Sequence, residues 1–120
     1  MRILYIHTSN IWGGATVALY RILLAMKNRG HEVYVVTNKS EGPFLEKLDS
    51  VGIKHFEHRL SLTIYPKVKN PLKWCWRTLR LLYRIHDEKK FISKVIDIVK
   101  PDIVHTNVGQ FSQEYDICKK

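Results

Sequence analysis

Residues 1–37 read MRILYIHTSNIWGGATVALYRILLAMKNRGHEVYVVT, and the order strand, glycine-rich turn, helix, strand within them decides the fold. Ile3-Leu4-Tyr5-Ile6 is a continuous apolar run, half of it β-branched. Such a run suits a central parallel strand covered on both faces. It starts at the methionine with no leader, so the chain is expected to begin inside the sheet. Thr8-Ser9-Asn10 ends the strand in turn-forming residues, and Gly13-Gly14 follow. From Ala15 the spacing turns helical. Ala15, Leu19, Ile22 and Met26 recur at four, three and four, with Ala18 and Ala25 on the same face. Lys27 and Arg29 sit near the end of this helix, where cations complement its dipole, and Gly30 suits the left-handed position beyond it. Val33-Tyr34-Val35-Val36 is the next strand. That order implies a parallel pair joined by a right-handed crossover.

The Gly13-Gly14 loop therefore lies at the carboxyl end of the first strand, against a helix N-terminus. Backbone N–H groups are unpaired there and the dipole is positive, so the place suits an anion, commonly a phosphate. Two glycines let the backbone approach a ligand closely. A simple tight turn accounts for the same residues, and the pair alone leaves both readings open.

A chain of 120 residues suffices for one modest core and one domain. No apolar run approaches the roughly 18 to 20 residues a membrane-spanning helix needs. Cys75 and Cys118 match no metal or redox spacing, which favours reduced cytosolic thiols. The net charge of +9 is unevenly spread. Residues 59–94 carry ten Lys/Arg against two acidic residues, whereas 1–58 carry seven against five and 95–120 three against four.

After the first unit, Asn38 to Pro43 forms a loop, and Phe44, Leu45 and Leu48 sit on a short helix ending near Gly52. Residues 53–56 read as a third strand, short enough for a sheet edge. His55 and His58 invite a metal reading, but residues three apart in a strand point to opposite faces and no third ligand is evident. Residues 59–71 are a polar connection in which Leu62, Ile64 and Tyr65 are apolar.

Residues 72–100 form a long helical segment, with a break into two helices expected at Asp87-Glu88-Lys89-Lys90. In its first half Lys73, Arg77, Arg80 and Arg84 fall at spacings of four, three and four, one basic stripe. Leu72, Trp76, Leu79 and Tyr83 form a second stripe, and Trp74, Leu81 and Ile85 a third. One apolar face would serve the core; the other leaves Trp74 beside positive charge, as on a helix lying against anionic lipid. A solvated basic face is the plainer alternative. No recognition module accompanies the charge to favour nucleic acid. Ile92, Val95, Ile96 and Val99 share one face, and Lys100-Pro101 stops the helix. Ile103-Val104 reads as a fourth, buried strand ending at His105-Thr106-Asn107; Gly109 and a polar helix start at 111–120 follow. Two polar, glycine-bearing loops, 8–14 and 105–109, thus leave the carboxyl ends of parallel strands, where open α/β sheets bind ligands.

The loop IWGGATVALYRILLAMKNRGHEVYVVT, taken with KPDIVHTN, resembles the N-terminal domain of family-4-like glycosyltransferases of the B-type, two-Rossmann-domain fold. The resemblance spans almost the whole chain. It implies an α/β fold, a Rossmann-like open parallel sheet flanked by helices, with residues 1–120 a partial acceptor-side domain and a donor-binding C-terminal domain missing. It implies sugar transfer from a nucleotide-sugar to a glycan or lipid-linked acceptor, with retention and without a metal or other cofactor. Gly13 and Gly14 would lie near the donor diphosphate. His105, Thr106 and Asn107, with Asn10 of the first loop, would line the same cleft. Lipid-linked acceptors at the cytoplasmic membrane face would give Lys73, Trp74, Arg77, Arg80 and Arg84 a purpose. Many members carry a second histidine where this chain has Asn107, so no catalytic acid or base is assigned. A truncated, non-catalytic remnant or binding domain is the competing expectation. A nicotinamide-dependent dehydrogenase is disfavoured: no G-x-G-x-x-G follows the first strand, and Val36-Thr37-Asn38 lacks an acidic residue for a ribose.

Overall fold

A computed structural model describes residues 1–8, 12–39, 42–60 and 69–107. The elements run β1 (Arg2–His7), α1 (Gly14–Asn28), β2 (Glu32–Asn38), α2 (Pro43–Ser50), β3 (Lys54–His58), α3 (Pro71–Val99) and β4 (Ile103–Asn107). The strands form one parallel sheet in the order β3-β2-β1-β4, the Rossmann-like arrangement expected. β1 is central, paired from Arg2↔Glu32 to His7↔Thr37 on one side and from Ile3↔Ile103 to His7↔Asn107 on the other. The chain builds outward from β1 through β2 to β3, then returns to place β4 on β1's other side. The strand order therefore reverses between β1 and β4, and the carboxyl ends there are where such sheets open a ligand crevice.

Alternation along β1 divides the core. Ile3 and Tyr5 face α1 and α2, packing with Leu19, Leu23, Phe44, Leu45 and Leu48. Leu4 and Ile6 face α3, packing with Val36, Leu60, Ile92, Val95 and Val99. The buried stripe of α1 is Thr16, Leu19 and Leu23, and this corrects the expected face. Ile22 is 43% exposed, and Ala15, Ala18 and Ala25 are also exposed. Both stripes have helical spacing; the one centred on Leu19 and Leu23 places the larger side chains against the sheet.

Both short crossovers end in the same way. Gly30 (φ +86) lets the His31 N–H reach Met26 O (3.2 Å) and its own N–H reach Lys27 O (3.0 Å). Gly52 (φ +70) repeats the pattern, with Ile53 N to Leu48 O at 3.0 Å and Gly52 N to Asp49 O at 3.1 Å. These are Schellman caps, which satisfy the last helical carbonyls and turn the chain into the next strand.

The segment after Asn70 is one unbroken helix of 29 residues, not two. Asp87-Glu88-Lys89-Lys90 interrupts the apolar pattern without interrupting the backbone, because all four residues tolerate a helix and none is glycine or proline. Glu88 lies in step with Leu81, Ile92, Val95 and Val99 and is buried with them. The Asn70 side chain caps the start by accepting from Leu72 N at 3.1 Å. At the other end Arg2 Nη1 donates to Val99 O, and Lys100 turns the chain in the left-handed region (φ 48). Near the middle, His58, the last residue of β3, hydrogen-bonds Asp87 at 3.1 Å and stacks on Phe91. The helix thus runs antiparallel to the strands, reaching the carboxyl edge of the sheet near Asp87. The half before Asp87 carries on past that edge.

Little of that half joins the core, against expectation. Leu81 is buried, but Leu72, Trp76 and Tyr83 are 81%, 71% and 74% exposed. The sheet is too short to cover them: five strand residues span about 17 Å, while a 29-residue helix spans about 43 Å. β4 also departs from a buried strand, with Ile103 and His105 exposed. It is an edge strand among the described residues, as is β3. The expected apolar stretch 62–65 and the helix start at 111–120 lie outside the described residues.

Candidate functional site

At the carboxyl end of β1 the alternation that buries Ile3 and Tyr5 places His7 on the α1 side of the sheet, fully buried. Its Nε2 lies 3.1 Å from Thr16 Oγ1, and its Nδ1 lies 3.1 Å from Asn107 Nδ2. An amide nitrogen only donates, so Nδ1 accepts. The Phe44 ring meets His7 edge-on at a centroid distance of 5.6 Å. One side chain thus ties together β1, the first turn of α1 and the end of β4. The ends of β1 and β4, from which the two loops named in the sequence leave, lie side by side at the point where the strand order reverses.

α1 begins at Gly14 behind an extended Gly13, whose carbonyl accepts from Val17 N at 2.9 Å. Gly13, the N-cap, brings no side chain to cap this turn, and no acidic residue lies in it. Its first amide groups have no partner within the helix and lie beside the positive end of its dipole. A Cβ placed on Gly14 meets nothing within 4 Å, so the packing of the chain does not itself demand glycine there. Trp12, just before the pair, stands edge-on to Tyr20 (5.8 Å) with Lys47 Nζ 4.8 Å from its ring. It is an exposed aromatic at the mouth of the loop.

The chain belongs to glycosyltransferase family 4. The sequence pattern of that family, Glycosyltransferase Family 4, matches residues 12–111, most of the chain. A solved glycosyltransferase from Rickettsia africae ESF-5 is similar in fold, with a TM-score of 0.68 at 21% identity. The likeness covers 98% of this chain and 26% of that one, so the chain spans about a quarter of that structure's length. No curated protein matches the sequence.

Within this family-4 domain the expected cleft residues separate. Gly13, Gly14 and Asn107 converge through His7 and Thr16. His105 sits two residues back along β4, paired with Tyr5 and with its ring 5.2 Å from the Tyr5 ring. Strand rise sets it about 7 Å below Asn107, away from the rim. Burial pushes the Tyr5 phenol pKa up. Thr106 does not line the same side as Asn107, because alternation turns it toward α3. Asn10 lies outside the described residues. His7, Thr16 and Trp12 were missed in the sequence. A histidine closing an apolar strand looks like its punctuation, and a helical threonine carries no hydropathy signal.

The second set of residues stands elsewhere. Lys73, Trp74, Arg77, Arg80 and Arg84 are all exposed on the projecting half of α3. Trp74 falls on the sheet-facing line and is 43% exposed, while Trp76 is the more open ring. No helix among the described residues is long and apolar enough to cross a membrane. His55 and His58 go to opposite faces, His55 to Asp49 of α2 and His58 to Asp87 of α3. A groove of about 350 Å³ between Lys27, His31, Glu32 and Lys54 lies at the amino ends of β2 and β3, away from the rim.

Proposed function

We propose that this chain is the acceptor-side, N-terminal portion of a glycosyltransferase. It moves a sugar from a nucleotide-sugar to a glycan or lipid-linked acceptor, with a donor-binding C-terminal domain completing the cleft. The observation that carries this reading is the His7–Thr16–Asn107 network, which joins the glycine-led start of α1 to the end of β4. As the sugar leaves, negative charge grows on the diphosphate. The backbone N–H groups at Gly13 and Gly14 are preorganised donors for that charge. His7 holds the first turn of α1 in place from below. Its full burial gives it a positioning role. The reading requires no metal or cofactor.

The setting we propose is the cytoplasmic face of the membrane, in synthesis of cell-surface polysaccharide. There the projecting half of α3 rests on anionic lipid and brings the rim to its acceptor. A non-catalytic binding or remnant domain is the second reading. Nucleotide release assayed on the 120-residue chain and on the longest product of its locus separates them. We expect no turnover and weak or no nucleotide-sugar binding by the chain alone, with activity in the longer product. Turnover and tight binding by the chain alone would refute the first reading, and an inactive longest product would favour the second.

Asn107→Ala removes the amide that meets the buried Nδ1 of His7. This should cost about 1–3 kcal/mol in chemical denaturation. A loss within error would mean that water replaces the amide and that the network does not hold the rim.

A further inference from the structure

The projecting half of α3 contains more than a stripe of charge. A groove of about 470 Å³ runs along it, lined by Arg59, Trp76, Leu79, Arg80, Tyr83, Arg84 and Asp87. Arg59 follows the last residue of β3, so two separate parts of the chain bring three guanidinium groups to one concavity. The one carboxylate there, Asp87, is engaged by His58 Nε2 at 3.1 Å. Among the described residues none of the three arginines pairs with a carboxylate. Three guanidinium groups against the single carboxylate of Asp87 leave the concavity net positive and raise the local potential, and an anion relieves that. Guanidinium forks match the oxygens of a phosphate two at a time.

The rest of the lining says what the phosphate is attached to. Trp76, Leu79 and Tyr83 form the apolar side, and Leu72 extends the same line toward the helix tip. A free phosphate would use the arginines and leave this ridge in water. An amphiphile would use both. We infer that Arg59, Arg80 and Arg84 form a binding site for the phosphate of an anionic lipid headgroup, with the lipid's hydrocarbon lying along Leu72, Trp76 and Leu79. This deepens the membrane reading above and rests on it. It differs in naming a formed site with Arg59 as a member, where a diffuse basic face would treat every cation alike.

The test keeps the charge and removes the fork. The whole chain and its Arg59→Lys/Arg80→Lys/Arg84→Lys variant are co-sedimented with vesicles of phosphatidylcholine and phosphatidylglycerol in equal parts, and glycerol 3-phosphate is titrated as a soluble competitor. All three positions are on the surface, so the fold is not at risk. A bidentate site predicts vesicle affinity about tenfold lower in the variant at unchanged net charge. It also predicts no displacement by glycerol 3-phosphate. Equal binding by the two proteins would overturn the site and leave the membrane reading standing. No sedimentation of the unaltered chain would overturn both. Displacement by glycerol 3-phosphate would overturn the lipid as the phosphate's source.

Discussion

Gly14→Pro is expected to leave the fold in place and to lower sugar transfer about 100- to 1,000-fold, as loss of one preorganised oxyanion donor does elsewhere. Proline is normally a disruptive probe, but this position accepts it. Gly14 is the first residue of α1, where a missing N–H breaks no helical bond. The residue before a proline must be extended, and Gly13 already is, at φ −128 and ψ −177. A Cβ at Gly14 meets nothing within 4 Å. The substitution therefore removes little beyond one amide donor at the mouth of the loop. Gly14→Ala, which keeps the donor, should change transfer by no more than a few-fold. The measurement is nucleotide release by the longest product of the locus, with circular dichroism on each variant. A proline variant that folds and transfers normally would show that this amide does not meet the donor.

The second large effect concerns stability and separates neighbouring residues of α1. Leu23→Ala should cost about 2–5 kcal/mol, since Leu23 is fully buried between α1 and the sheet and its loss leaves a cavity. Ile22→Ala should cost no more than about 0.5 kcal/mol, because Ile22 faces outward. Against a total stability of about 5–15 kcal/mol, the first variant is severely weakened and the second is nearly neutral. Urea titration of both reads the difference directly. Equal losses would mean that α1 is rotated from the orientation described.

The contrast between Ile22 and Leu23 shows what a single sequence conveys and what it does not. The βαβ unit was readable because its signals are local: apolar runs bounded by glycine, and a glycine forced into the left-handed region at Gly30. Gly52 and the short helix before it were readable for the same reason. Which face of α1 turns inward was not, since apolar residues stand nearly all round that helix and only the sheet chooses among them. Charge misled at Asp87 to Lys90, where a polar run looked like a boundary. One of its members, Glu88, is instead buried in line with Leu81 and Ile92. The candidate site was half visible. Gly13, Gly14 and Asn107 announced themselves as loop residues, but their link through His7 depends on strand register. Thr106 and His105 could be separated from Asn107 only once that register was known.

α3 has one further consequence. It is an unbroken rod, clamped to the sheet over its second half and extending about 24 Å beyond Asp87 toward its first residue. A rod without a hinge transmits orientation as well as attachment. Whatever grips its tip sets both the standoff and the tilt of the crevice between β1 and β4. Lengthening the rod by one residue would swing that crevice about 100° around the axis, whereas a seven-residue insertion would nearly restore its heading at a greater height.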